Sequence, residues 1–470
     1  MSSEPPRPER PCASPTGEGF PGDDRLLCGW GRTSPSRARL VAPLTDDDVA
    51  RLVAAAPARG VVARGLGRSY GDAAQNAGGG VLDMTSRRGV LEADLARGEV
   101  RVAAGTSLDE LMRWLLPRGW FVPVTPGTRM VTVGGAIAAD IHGKNHHRDG
   151  SFGDHVAGLR LRTGAGEELT CSPAELPDVF WATVGGMGLT GVILDATIRL
   201  LPVETAWMLV DAERARDLDD LMSRMEARDA EYRYSVAWID CLARGGSLGR
   251  GVLTRGDHAP LDALGPAQRD RPLHFDPRPV VTTPQAVPSG LVNRWSVRVF
   301  NELWYRKAPR ERRGHLESIA YFFHPLDGVV GWNRLYGRRG FVQYQFVVPP
   351  GAEDSVRHAL ALLSGAGLAS FLAVLKRFGR RNPGHLSFPI PGWTLALDLP
   401  TGSVELGALL DRLDEIVLAA GGRVYLAKDA RVHPARLARM YPRLAEWAEV
   451  RAKLDPAGVI TSDLARRLGW

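Results

Sequence analysis

The chain has 470 residues, of which 44% are hydrophobic, 24% charged and 7% aromatic, and 59 Lys and Arg against 53 Asp and Glu leave a formal charge of +6. That composition is globular and excludes a disordered chain, a collagen-like repeat and a disulfide scaffold, because Cys12, Cys28, Cys171 and Cys241 are too few and too scattered for a bridged framework or a zinc knuckle. The basic excess is small, no basic run is interleaved with aromatics, and no stretch approaches the ~18 apolar residues of a membrane span, so neither a nucleic-acid partner nor an integral membrane protein is expected.

Residues 1–24 hold six prolines, several charges and no apolar signal-peptide core, which predicts a disordered tail over residues 1–25. The expected location is cytoplasmic or peripheral at the plasma membrane, with the periplasmic face left open. Short strands are predicted at Gly60–Arg64, Gly80–Met84 and Gly98–Ala103. A helix follows over Thr106–Arg118, with Ser107 as N-cap and Leu108, Leu111, Met112 and Leu115 as its apolar stripe. Residues 256–290 contain seven prolines and little periodicity, which reads as a lid or binding loop. Phe341–Val348 alternates like a strand, and Glu353–Leu363 reads as a helix. Arg377, Arg380 and Arg381 form a basic cluster suited to an anionic ligand, an acidic membrane surface or plain solvent.

Three glycine-rich segments carry the chemical information. The first is Arg64-Gly-Leu-Gly-Arg-Ser-Tyr-Gly-Asp72, directly after a strand. The second runs from Pro126 to Gly143 and contains Gly134-Gly135 followed by Ala136, Ala138 and Ala139. The third is Phe180-Trp-Ala-Thr-Val-Gly-Gly-Met-Gly-Leu-Thr-Gly191. Small residues of this kind free backbone N–H groups to face one anion and let the chain lie flush on a flat ligand. Gly186, Gly188 and Gly191 spell a formal G-x-G-x-x-G, but the β-branched Val192–Ile198 follows where a nicotinamide fold needs a helix, so a Rossmann domain is rejected. Three clusters within one domain favour a large phosphate-bearing cofactor.

These segments, together with Val122–His147, Gln343–Phe346, Leu386–Trp393 and Tyr425–Arg431, resemble the vanillyl-alcohol oxidase / p-cresol methylhydroxylase flavoprotein superfamily, and within it the branch that oxidises a lipid-linked ribose. The resemblance covers the chain from about Leu26 to Trp470. It implies an α+β protein with a two-part FAD-binding domain, residues 26–201 and 416–470. An inserted α+β substrate domain on an antiparallel sheet is implied over residues 202–415, with a mobile loop at about 256–290. It implies an FAD cradle of Ala63, Arg64, Gly65, Leu66, Gly67, Arg68, Ser69, Tyr70, Gly71, Asp72, Ala73, Gly127, Thr132, Val133, Gly134, Gly135, Ala139, Asp140, Ile141, His142, Ile193 and Tyr425. Many members tether the flavin through a histidine where this chain has Arg68, and an arginine cannot form that bond, so the FAD is expected to be noncovalent.

Oxidising a secondary alcohol needs a group to take or polarise the hydroxyl proton and a surface that holds the carbon against the flavin. Lys428 is the first candidate, either as a base or as a charge stabilising the alkoxide, unless it merely pairs with Asp429; Tyr70 and His142 are expected to face the same centre. His142, His146 and His147 could ligate a metal, but Gly143 and the lack of a suitably spaced carboxylate weigh against it, and no metal is expected. Trp238, Gln343, Gln345, Lys376, Thr394 and Ala396 fall in segments matching the family's substrate pocket. Gln343 and Gln345 share one strand face, as ligand contacts or as a satisfied core pair. Ala396 stands where some members carry a cysteine.

The implied reaction is oxidation of the ribose 2′-hydroxyl of decaprenylphosphoryl-β-D-ribose to the 2-keto sugar. It would be the first half of an epimerisation toward the arabinose donor of cell-wall arabinan. Implied partners are the polyprenyl-phosphate sugar, an NAD(P)H-dependent keto-reductase, a quinone acceptor and a peripheral membrane contact. Two alternatives stand beside it: an oxygen-using alditol or aldonolactone oxidase, and a noncatalytic polyprenyl-phosphate binder.

Overall fold

Phe20 is 3% exposed and packs with Val49, Leu52, Val61 and Leu82, so ordered chain begins ahead of the predicted end of the tail. The computed structural model describes residues 20–368 and 370–470; residues 1–19, most of the predicted tail, lie outside them. Asp23–Leu27 pairs antiparallel with Ser36–Val41, and the sheet continues in parallel through Gly80–Asp83 to Val61–Arg64. Fully buried Val61, Val81 and Leu82 make this small sheet a packed layer rather than a surface flap.

A second, antiparallel sheet orders Val90–Asp94, Glu99–Ala103, Val192–Arg199, Val156–Arg162 and Glu168–Cys171. The predicted helix is Leu108–Leu115, extended by a 3₁₀ turn over Leu116–Arg118. Ser107 Oγ accepts from the Glu110 N–H at 3.1 Å while the Glu110 carboxylate accepts from the Ser107 N–H at 3.0 Å, a reciprocal cap that fixes where the helix starts. Its stripe of Leu108, Leu111, Met112 and Leu115 is buried against the second sheet. Val192–Arg199 follows the third glycine cluster as a strand, as its β-branched residues dictate, and the Rossmann geometry is absent there.

The largest sheet is eight-stranded and antiparallel, in the order Glu311–Ser318, Trp207–Ala215, Gly251–His258, Tyr234–Ile239, Ala373–Phe378, Gly392–Pro400, Phe341–Val348 and Arg423–Val424, the last strand lying beyond the 202–415 expected for an inserted domain. Its strands alternate. Tyr344, Phe346, Leu375, Leu395 and Leu397 join one apolar cluster with helices Leu218–Arg228, Glu353–Ala366 and Leu406–Ala419. Their neighbours Trp238, Gln343, Gln345, Lys376 and Ala396 point the other way, into a cleft against the glycine loops.

The C-terminal segment closes the molecule. Arg423–Val424 pairs with Phe346 and Val347 at the edge of the large sheet. The chain then returns to the first sheet, where the Val61 N–H donates to the Val459 carbonyl at 2.8 Å and the Thr461 N–H donates to the Val61 carbonyl at 2.9 Å.

The proline-rich segment differs from its expected role. Residues 256–258 finish a strand, the Ala206 N–H donates to the Pro272 carbonyl at 2.7 Å, and Val281–Thr282 pairs in parallel with Val329–Val330. None of residues 256–290 lines the cleft; the wall at that end comes instead from Leu291–Trp304 and Glu317–Leu335. Proline stops regular hydrogen bonding, but here the segment is held by packing of Leu273 and Phe275. Among the described residues, no helix is long and apolar enough to cross a membrane.

Candidate active site

A cleft of about 1020 Å³ separates the glycine loops from the free face of the large sheet. Its floor is unusually small-featured, with Ala63, Gly65, Gly67, Gly134, Gly135 and Ala139 exposing backbone along its length. At Gly188, φ is +76° and no atom lies within 4 Å of where a Cβ would stand, so glycine both permits the turn and leaves room for a ligand. Gly71 serves a different end. A Cβ there would lie 2.1 Å from the Asp429 carbonyl oxygen, so this glycine lets the first loop lie against the C-terminal segment.

Of the expected cradle, Ala63–Tyr70, Ala73, Gly127, Thr132, Gly134, Gly135, Ala139, Ile141, His142, Ile193 and Tyr425 line the cleft. Gly71, Asp72, Val133 and Asp140 lie behind that lining. Asp72 is held by Arg467 at 2.8 and 2.9 Å, and the Val133 side chain is buried in the core. Asp140, at φ +39°, accepts from Ser151 Oγ and Asn382 Nδ2 at 2.8 Å, from the Gly153 N–H at 2.9 Å, and from Ser387. It ties the second glycine loop to the segment carrying Asn382 and Ser387, a positioning duty that its place in the loop disguised.

The opposite wall concentrates the reactive groups. Lys428 Nζ sits 3.8 Å from the centroid of the Tyr70 ring, and the Tyr70 N–H donates to the Ala427 carbonyl at 2.9 Å, so the two are fixed as a pair. Burial drives the Lys428 ammonium well below the ordinary lysine range, with Lys376 pushing the same way and Asp398 opposing. Asp398 is buried, raised by desolvation, and hydrogen-bonded by Gln343 Nε2. Asp429 is not the partner of Lys428: it pairs with Arg467 at 2.9 Å and accepts from the Arg431 and Val432 N–H groups. Tyr70 is raised well above a normal phenol by burial and by Asp398, which keeps it neutral.

His142 packs among Phe378, Phe388 and Tyr425, and its Nε2 lies 2.9 Å from Gln345 Nε2, which donates to it. Its Nδ1 is buried with no partner among the described residues. Burial, with Lys376, His146 and Lys428 nearby, holds the ring well below its usual pKa and therefore neutral. The other two histidines are committed elsewhere. His146 Nδ1 accepts from the Gly379 N–H at 3.2 Å, and His147 Nε2 donates to the carbonyls of Asp229 and Tyr232.

Gln343, Gln345, Lys376, Trp238 and Ala396 all line the cleft. The Trp238 indole N–H donates to the Phe371 carbonyl at 3.0 Å, and burial lowers Lys376 to about 8. Thr394 does not reach the cleft: it is fully buried, accepts from Gln345 at 3.2 Å and donates to the Phe346 carbonyl at 2.8 Å. Lys144 was not anticipated. It donates to the Phe322 carbonyl, stands 4.1 Å from the Phe322 ring centroid, and is lowered to about 7 by burial. Only its proximity in sequence to the second glycine loop could have pointed to it. Beyond it, Leu291, Phe300, Trp304, Tyr321 and Leu335 form an apolar mouth.

A flavin dinucleotide fits these residues, with a backbone-lined trough for its phosphates and an enclosed end where Tyr70, His142 and Lys428 converge. Arg68 stacks 3.8 Å over Trp30, and among the described residues its buried Nε has no partner, so a cation stands beside the trough.

The FAD binding domain family matches residues 38–172, and the D-arabinono-1,4-lactone oxidase family matches residues 398–468. Decaprenylphosphoryl-beta-D-ribose oxidase of Mycolicibacterium smegmatis is 46% identical over 454 residues, covering 96% of this chain and 98% of that protein. An uncharacterized protein of Streptomyces coelicolor is 46% identical over 373 residues, 77% of this chain and all of that protein. D-arabinono-1,4-lactone oxidase of Eremothecium gossypii is more distant, 28% identical over 48% of this chain and 43% of its own length. The chain is an FAD-dependent oxidoreductase and belongs to the decaprenylphosphoryl-beta-D-ribose oxidase family.

Proposed function

We propose that this protein oxidises the ribose 2′-hydroxyl of decaprenylphosphoryl-β-D-ribose to the 2-keto sugar. This is the first half of an epimerisation that yields the arabinose donor of cell-wall arabinan. The observation that carries the reading is the half-buried Lys428, free of any carboxylate within 4 Å among the described residues, between the glycine trough and the polar face of the sheet. Bound FAD supplies the hydride acceptor for such an oxidation. Lys428 Nζ, its ammonium disfavoured by burial, takes the hydroxyl proton when it is in its neutral form. Gln343 and Gln345 hold the sugar hydroxyls, with Gln345 oriented by His142 and Thr394. Lys376 and Lys144 face the phosphodiester, Trp238 walls the sugar, and the apolar mouth takes the start of the lipid while excluding water.

The cradle residues Ala63–Ser69, Ala73, Gly127, Thr132, Gly134, Gly135, Ala139, Ile141, Ile193 and Tyr425 hold the FAD, noncovalently because Arg68 offers no nucleophile for a tether. A quinone reoxidises the enzyme, an NAD(P)H-dependent keto-reductase consumes the product, and the lipid substrate brings the protein to a membrane surface. The test is anaerobic bleaching of the bound flavin by decaprenylphosphoryl ribose, followed by reoxidation with a soluble quinone. Bleaching is expected. Bleaching by simple alditols or aldonolactones with peroxide release in air, and none by the lipid sugar, would replace this reading with a soluble sugar oxidase; no bleaching by either would leave a noncatalytic lipid binder.

A further inference from the structure

The helix Arg294–Lys307 attaches to the body by one narrow side. Val297 and Asn301 are buried, Asn301 Nδ2 donates to Asp240 at 2.8 Å, and Tyr305 donates to the Ala215 carbonyl at 3.1 Å, a spacing of four residues each time. On the adjoining flank Phe300 and Trp304 line the mouth of the cleft. The outward flank carries Trp295, Val299 and Leu303, again four apart, and these are 66%, 60% and 64% exposed. An amphipathic helix normally turns such a stripe inward; here it faces out, beside exposed Leu291 and Tyr321.

The surrounding charge is lopsided. Residues 291–313 contain seven Lys and Arg against Glu302 and Glu311. Glu302 pairs with Arg250 and Arg306, and Glu311 with Arg313. Among the described residues, Arg294, Arg298, Lys307, Arg310 and Arg312 have no carboxylate within 4 Å; Arg294 and Lys307 instead lie over the rings of Trp295 and Trp304. A tryptophan-bearing apolar stripe flanked by unpaired cations is complementary to the boundary between anionic headgroups and acyl chains, where the stripe enters and the cations stay among the phosphates.

We propose that the Arg294–Lys307 helix is an interfacial docking element that seats the cleft mouth on an anionic lipid bilayer. Trp295, Val299 and Leu303 insert at the acyl boundary while Phe300 and Trp304, on the next flank, form the passage from bilayer to cleft. This deepens the functional reading above and rests on it only for the lipid nature of the substrate.

The test is co-sedimentation of the full-length holoenzyme with vesicles of phosphatidylcholine, with and without phosphatidylglycerol. The variants are the triple W295S/V299S/L303S and the pair R294E/R298E. None of these five side chains lines the cleft. Binding is expected for the wild type only with phosphatidylglycerol, weakening as salt rises, and each variant should partition at least about tenfold less with its flavin content unchanged. Wild-type protein that ignores anionic vesicles, or variants that bind them as well as the wild type does, would overturn the proposal. So would a wild-type dimer that the triple variant dissociates, since the face would then join two copies of the chain. Because vesicle binding is read without substrate, its failure leaves the bleaching result standing, and a failed bleaching leaves the vesicle result standing.

Discussion

Lys428 draws its chemistry from its surroundings rather than from its type. Removed from water and set beside Lys376, its ammonium is disfavoured, while Asp398 restores only part of that loss. A neutral amine accepts a proton and an ammonium does not, so anaerobic flavin reduction should rise with pH as Lys428 deprotonates, with its midpoint below the ordinary lysine range. Stopped-flow absorbance of the holoenzyme checks this. Lys428→Met should slow reduction by about 100-fold or more, lose that pH step and keep its FAD. A Met variant that retains the pH step would transfer the base role to another group. The neighbouring Ala396 carries a second prediction. Among the described residues, Cys171 and Cys241 are buried and Cys28 is half-buried away from the cleft, so a thiol-directed electrophile shaped for the cleft should leave no adduct on a cleft residue of the wild type. Ala396→Cys should acquire one there, read by peptide-mapping mass spectrometry, and a persistent adduct on a cleft residue of the wild type would refute the assignment.

At the scale of elements, the last helix, Asp463–Leu468, acts as a clasp. Arg467 reaches Asp72 behind the first glycine loop and Asp429 beside the Lys428 turn, so one guanidinium sets the spacing of two site-bearing segments. Arg467→Ala leaves two largely buried carboxylates without their cation and should cost about 3 kcal/mol, lowering the thermal midpoint and loosening FAD. Calorimetry and flavin absorbance after dialysis measure both; unchanged midpoint and flavin content would show the clasp to be idle. Such ties explain what the sequence reveals and what it hides. The Ser107 cap, the strand Phe341–Val348 and the helix beginning at Glu353 are written in local periodicity and capping, and they appear where expected. Asp140 and Thr394 stand inside segments that do form the site, yet their side chains turn away to brace it, a choice made by partners more than 10 residues distant. Lys144 and Asp398 enter the site only through tertiary approach, and no local pattern marks them. The proline content of residues 256–290 shows where regular structure stops but not which neighbouring stretch covers the cleft.

For the molecule as a whole, the trough, the sheet face and the mouth form one continuous space, and the first glycine loop brings to it Arg68, a side chain that cannot bond the flavin covalently. Precipitation with acid or unfolding in guanidinium should therefore release intact FAD into the supernatant, detected by fluorescence and mass. Flavin that stays with the peptide would contradict the noncovalent site. The glycine trough was legible because its information is contiguous. The mouth was not, because its residues belong to two segments that meet only in the fold.

The Val61 strand, formed early in the chain, finds its last hydrogen-bonding neighbours at Val459 and Thr461, and Tyr425 Oη reaches back to the Ala139 carbonyl at 2.7 Å. A ribosome must therefore have released the chain through Thr461 before these early segments have their partners. Loading consequently waits on distant chain, and a nascent polypeptide stalled before Tyr425 has emerged should be colourless.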